Sequence, residues 1–236
     1  GNSNSEERMD LLERLEALFP GVKIAYLTGD REFVGKPWLS FVMIDQPIPF
    51  RLRIRQTDKI SRGRGQPAIA CVHLFRSLSI GEQRVLPGRR WVWGRPVYII
   101  GVRLEPKQKK QKSDDDFLIL ITEYSPRTAL ADYGRGWGIE TLFGALKRQG
   151  FCLESTHFTE RERLSKLLAP LALAFVWAMK ARIWRHAQKP IRLIEAQGRR
   201  ARSLFRYGCD LLRRFFIDPL SFSDSLFQPI KLLSCT

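Results

Sequence analysis

The sequence predicts an α/β fold with a β-rich middle and a helical remainder, and three observations carry that expectation. Strand, helix and strand patterns follow one another over residues 22–55, four short β-like runs fill 68–124, and helical patterning dominates from 125 onward. The chain has 236 residues, 44% hydrophobic and 27% charged, an ordinary globular composition with room for one large or two small domains.

Residues 5–19 read as a helix. Asn4 or Ser5 can cap it, acidic residues follow, and Leu11, Leu12, Leu15, Leu18 and Phe19 share one face, so that face is expected to be buried. Pro20-Gly21 stops it. Val22–Thr28 is apolar and β-branched, the pattern of a short buried strand ending at Gly29-Asp30. Pro37–Ile44 reads as a helix and Phe50–Arg55 as an alternating strand, an order that suggests an α/β core with at least some parallel pairing. Runs at Ala68–Leu74, Arg90–Trp93, Pro96–Leu104 and Phe117–Tyr124 form an antiparallel segment, and the polar stretch 105–116 (EPKQKKQKSDDD) reads as a solvated loop. Ser125-Pro126 opens a helical segment that Gly150 ends. Thr159 and Glu162 suit a capping box for a helix running to about Ala187, bent at Pro170. A last helix over roughly 200–216 carries Leu204, Leu211, Phe215 and Phe216.

Forty Lys and Arg against 24 Asp and Glu leave a net charge of +16, which favours a polyanionic partner, nucleic acid before a membrane surface. Residues 51–64 hold six basic side chains, Arg51, Arg53, Arg55, Lys59, Arg62 and Arg64, and residues 181–216 hold ten. Such clusters suit phosphate contacts with steep salt dependence. The longest apolar run, Leu167–Met179, is shorter than the about 20 residues a bilayer span needs, so it reads as a buried helix. Cys71, Cys152, Cys209 and Cys235 lack CxxC spacing, which excludes a disulfide scaffold and a zinc ribbon. Cys71 and His73 are expected in the core. The opening GNSNSEERMD has neither an initiator Met nor a signal-peptide pattern, so Gly1 is expected to be a cut end with further chain upstream.

Two segments bear on chemistry. Asp30 directly follows a predicted strand, and strand ends are where ligands meet α/β sheets. In YGRGWGIETLFGALKRQG (133–150), Tyr133, Glu140 and Lys147 recur every seven residues and would form one stripe of a continuous helix. Its core face would be Ile139, Leu142, Phe143 and Leu146. Gly134, Gly136 and Gly138 each cost about 1 kcal/mol relative to Ala and loosen the Tyr133 end. A turn Asp and a solvated charge stripe are the plainer readings of these residues taken singly.

TGDREFVGKPWLSF (28–41) together with YGRGWGIETLFGALK (133–147) resembles the bacterial insertion-sequence transposases of the insertion-sequence-four type. The resemblance extends to the opening GNSN, the GFCLESTHFTERERL stretch and the basic LFRYG segment. It implies an RNase H-like core with a DDE triad and a Tyr-Arg-Glu-Lys signature. Carried across, Asp30 matches the second acidic residue and Glu140 the third, both metal ligands. Tyr133 and Lys147 match the signature residues that hold DNA ends. The signature Arg falls at Gly136; Arg135 is its neighbour, turned about 100° around a helix. The first Asp of the triad is implied on an earlier strand, which this chain begins after; Asp10 sits on the N-terminal helix and is no substitute. Trp93, beside Trp91 and among Arg89, Arg90 and Arg95, matches an aromatic of the β insertion that stacks on a flipped base, or else packs on the insertion's own core.

The resemblance therefore implies three segments: 1–66, a partial RNase H-like core; 67–124, a β-rich insertion; and 125–236, the helical part with the catalytic Glu and basic C-terminal helices. It implies a two-metal Mg²⁺ site, with Mn²⁺ as substitute, and double-stranded DNA, both transposon ends and target, as partner. A dimer in a synaptic complex and a cytoplasmic, nucleoid-associated setting without a membrane follow. The expected activity is cleavage and strand transfer, with the chain alone inactive for want of the first Asp. The alternative is a non-catalytic DNA-binding remnant or inhibitor. An RNA-binding protein ranks last, because no aromatic platform or RNA module is evident.

Overall fold

In the computed structural model, residues 4–106, 115–136, 138–149, 151–157, 160–191, 193–194, 199–200 and 204–218 are described. The chain forms two compact units, residues 1–136 and 137–236.

The first unit is a sheet with helices against it. Helix α1 (Ser5–Leu18) starts on a reciprocal cap: Glu7 N–H donates to Asn4 Oδ1 at 2.8 Å while Asn4 N–H donates to Glu7 at 3.1 Å. Its expected apolar face is not buried. Leu12 and Arg8 point inward, whereas Leu11, Leu15, Leu18 and Phe19 are exposed. Strand β1 (Leu27–Gly29) is shorter than the run 22–28 suggested, half-buried throughout, with Val22 exposed. Helix α2 (Lys36–Ser40) continues as a π turn over Phe41–Asp45 and buries Trp38, Leu39, Phe41 and Val42.

Strand β2 (Phe50–Ile54) runs parallel to β1, with Leu27 opposite Phe50, as the strand–helix–strand order suggested. It does not alternate in burial. Arg51 joins Phe50, Leu52 and Ile54 in the interior, because an ion pair neutralises it there. The sheet continues through short antiparallel strands: β3 (Lys59–Ser61), β4 (Ala68–Ala70), β5 (Gln83–Val85), β6 (Arg90–Val92), β7 (Arg95–Arg103) and β8 (Phe117–Thr122). Their order is β1-β2-β8-β7-β6-β3-β4, with β5 on β7. Antiparallel pairing over 68–124 is as expected, except that Val72–Phe75 forms a helical turn, α3, where a strand was anticipated. Since β8 pairs with both β2 and β7, residues from 1–66 and 67–124 share one sheet. Among the described residues β1 pairs only with β2. The core runs through Leu39, Phe50, Leu52, Ile54, Phe75, Ile99, Ile119 and Ile121. A 3₁₀ turn at Pro126–Thr128, opened by Ser125, leads into α4 (Ala129–Arg135), which packs on β2 and β8.

The second unit is helical. It contains α5 (Gly138–Gly144), a π turn over Ala145–Gln149, a 3₁₀ turn at Leu153–Thr156, α6 (Arg161–Gln188) and α7 (Leu204–Ile217), with two-residue strands β9 (Leu193–Ile194) and β10 (Arg199–Arg200). Helix α6 starts after Glu160 without a side-chain cap; the anticipated Thr159 cap and Gly150 stop lie outside the described residues. Helices α6 and α7 pack on each other around Ala178, Ala181, Phe205, Leu211 and Leu212. An added Cβ on Gly208 would collide with the Ala178 carbonyl, so this glycine sets how closely the helices approach. The expectation that the apolar run of α6 is buried fails. Leu168, Leu173 and Val176 are exposed, because only the stripe facing α7 is covered. By length and composition Glu162–Gln188 is long and apolar enough to cross a membrane, with 11% of its most apolar window buried.

Candidate active site

The first unit gathers a polar cluster at the carboxyl end of β1. Asp30 stands one residue beyond the strand, its side chain 55% exposed, in the position where α/β sheets present ligand-binding groups. Its Oδ1 accepts the Arg31 backbone N–H at 2.8 Å and lies 3.4 Å from an Arg53 guanidinium nitrogen. Arg53 comes from β2, the strand alongside. Its other terminal nitrogen reaches Asp115 Oδ2 at 3.2 Å, and Arg31 reaches the same oxygen at 3.2 Å. Asp115 is thus 8% exposed between two guanidinium groups, which corrects the solvated-loop reading at the end of 105–116. No pattern in the run of three aspartates could have singled it out; only the fold brings it back to β2.

Tyr133, on α4, stands close enough to Asp30 and Arg53 to feel both charges. Burial is the main cause that pushes its phenol above the ordinary value; the Asp30 carboxylate adds to this, and Arg53 opposes it. The phenol therefore stays protonated under physiological conditions and keeps a proton to donate beside Asp30.

What holds Tyr133 there is its neighbour Asp132. The Arg51 Nε and a terminal nitrogen each lie 3.2 Å from Asp132 Oδ2, with both side chains at most 10% exposed. Arg51 also donates to Thr122 Oγ1 and to the Phe50 carbonyl, both at 2.9 Å, and Thr128 donates to Asp132 at 2.8 Å. This network ties α4 to β2 and β8 and satisfies the buried charges. Arg51 is therefore structural, which removes it from the expected DNA-facing basic cluster. Arg53 is occupied by carboxylates, and Arg55, Lys59, Arg62 and Arg64 remain exposed.

Gly136 closes α4. Its N–H donates to the Tyr133 carbonyl at 3.0 Å, and an added Cβ would stand 2.8 Å from Thr28 Oγ1 on β1 and 3.1 Å from that carbonyl. A signature Arg has no room here unless Thr28 moves. Arg135 is 73% exposed and pairs loosely with Asp132 at 3.5 Å. Trp93 forms, with Gly94, the tight turn between β6 and β7; both have positive φ, as a type I′ hairpin turn requires. Its ring packs partly buried against the main core, whereas Trp91 lies within β6.

Glu140 and Lys147 belong to the second unit. Glu140 is exposed in the first turn of α5, and Lys147 is exposed in the π turn with its Nζ 5.8 Å from the Phe143 ring centre. The expected continuous helix through Tyr133, Glu140 and Lys147 is not formed. Helix α4 ends at Arg135, α5 begins at Gly138, and the π turn winds more residues per turn than an α-helix. The anticipated core face is wrong as well: Ile139 and Phe143 are exposed, and Ala145 is the buried residue.

Among the described residues no three His, Cys, Asp or Glu side chains cluster as a metal site. Cys71 is buried and His73 exposed, so the pair does not share the core as expected. Asp10 is exposed on α1 in an ion pair with Arg14 at 2.7 Å.

The first unit thus combines a mixed α/β sheet of eight strands, an acidic residue at the end of the parallel β1–β2 pair and a tyrosine close enough to sense that residue's charge. The chain belongs to the transposase DDE domain family, whose model matches residues 1–177. No curated protein matches it.

Proposed function

We propose that this transposase is of the insertion-sequence-four type, with an RNase H-like core that cuts and rejoins DNA at the ends of a mobile element. The observation that carries this reading is the placement of Asp30, within the family match, at the carboxyl end of a parallel strand and beside Tyr133.

Asp30 offers exposed, hard carboxylate oxygen on a rigid strand end, and Glu140 offers the same from a helix; that chemistry suits Mg²⁺, or Mn²⁺ in its place. When bound, the metal would supply charge stabilisation at the phosphoryl oxygens and activation of the attacking hydroxyl. Of the three carboxylates that the resemblance implies, Asp30 and Glu140 are the two matched in these 236 residues. Tyr133 donates a hydrogen bond from its hydroxyl to a phosphate oxygen, and Arg135 and Lys147 contribute charge to the grip on the transposon end. Trp93 offers one ring face to a displaced base. The working form is a dimer in a synaptic complex on double-stranded DNA, in the bacterial cytoplasm at the nucleoid.

A second reading, a non-catalytic DNA-binding protein that occupies element ends, is favoured by Gly136, where the implied Arg is replaced and Thr28 fills the space.

Duplex binding across a salt series, with nicking of a plasmid carrying the sequences that flank the gene, tests the proposal. The expected result is binding with a steep salt dependence and no Mg²⁺-dependent nicking by the 236-residue chain. A salt slope near zero contradicts the DNA track. Strong nicking that disappears in Asp30→Ala contradicts the incomplete carboxylate set.

A further inference from the structure

The pairing around Asp115 is unusual in its economy. Arg31 and Arg53 converge on one oxygen, Asp115 Oδ2, each at 3.2 Å. Their side chains are 28% and 21% exposed, so both can be reached from solvent. Arg53 spans Asp115 and Asp30 through its two terminal nitrogens. Two guanidinium groups aimed at a single anionic oxygen form a site that takes a phosphate oxygen as readily as a carboxylate.

We infer that Arg31 and Arg53 form a DNA backbone-phosphate site next to Asp30, and that Asp115 is an internal carboxylate that fills this site until a phosphodiester displaces it. The inference rests on the DNA reading above. The consequence is an energetic threshold: binding at this position must break two charge-assisted contacts before it makes two. A phosphate seated there would lie against the residue proposed to hold the metal, so release of Asp115 and delivery of a strand to Asp30 are one event.

The test uses the whole chain and a short fluorescent duplex of arbitrary sequence. Asp115→Asn is expected to tighten binding about five- to tenfold at low salt and to raise the salt slope by roughly one to two, as two further cations meet phosphate. Asp10→Asn, which makes the same charge change on α1, is expected to leave affinity within about 1.5-fold, since that carboxylate is exposed, paired with Arg14 and screened by salt. Adding Arg31→Gln and Arg53→Gln should abolish the gain. A second measurement needs no variant: carbodiimide labelling of Asp115, slow in the DNA-free chain, should rise several-fold when duplex saturates the protein. Labelling that stays flat or falls at saturation overturns the inference, as does unchanged or weaker binding by a folded Asp115→Asn. If the wild-type chain binds no duplex at any salt, the DNA reading fails instead. Pyrophosphate titration of Asp115→Asn then separates the two: Arg31- and Arg53-dependent binding keeps the anion site, and no binding removes it.

Discussion

The two units of this transposase solve the problem of placing charge in opposite ways. In the first, carboxylates and guanidinium groups are built into the fold: Arg51–Asp132 is buried, Arg53 spans Asp30 and Asp115, and the packing of α4 depends on them. In the second, Glu140 and Lys147 stand exposed on short helical turns, and the core is a narrow seam between α6 and α7. The carboxylate of Asp30 is therefore held by neighbouring side chains of its own unit, whereas Glu140 and Lys147 stand on the surface of theirs.

Breaking the buried charge pair should show the contrast most strongly. Asp132→Ala leaves Arg51 buried without its carboxylate and is expected to cost about 3–5 kcal/mol, read by denaturant unfolding. Replacing exposed Glu140 by Gln should change stability by less than about 0.5 kcal/mol in the same assay. Equal effects would erase the distinction between the units. In the second unit the sensitive point is backbone approach rather than charge. Gly208→Ala is expected to destabilise the α6–α7 pair by about 1–3 kcal/mol, because the methyl meets the Ala178 carbonyl. Gly134→Ala, on α4 with open space around it, should instead stabilise by up to about 1 kcal/mol. The smallest effect is chemical. Burial pushes the Cys71 thiol up to about 12 and Cys209 to about 11, whereas Cys152 is exposed. Peptide-resolved alkylation at mildly alkaline pH should modify Cys152 well before either, and rapid labelling of Cys71 would mean that the first unit opens readily.

Local signals in the sequence located most of the elements, and they failed where tertiary partners decide. The Asn4 cap, the stop at Pro20-Gly21, the parallel β1–β2 pair and the strands at 95–103 and 117–122 follow from capping chemistry and β-branched runs. Burial was less legible. The leucines of α1 and the apolar run of α6 have the composition of core but lie largely uncovered, because composition does not say which face finds a neighbour. Within the site, the placement of Asp30 after a strand could be read directly. Arg51, Asp132 and Asp115 could not be read, since each acquires its role from residues 62 to 84 positions away. The seven-residue spacing of Tyr133, Glu140 and Lys147 suggested a continuous helix, but Gly136 ends α4 against Thr28.

The proposal turns on Asp30, at the carboxyl end of β1, being a ligand of the metal. Iron-mediated cleavage tests it directly: Fe²⁺ in place of Mg²⁺, with ascorbate and peroxide, cuts the backbone beside the bound ion, and the fragments map the site. The expected result is a cut near residue 30 that excess Mg²⁺ suppresses and Asp30→Asn abolishes. Cuts only elsewhere, or a cut near residue 30 that survives Asp30→Asn, would contradict the proposal.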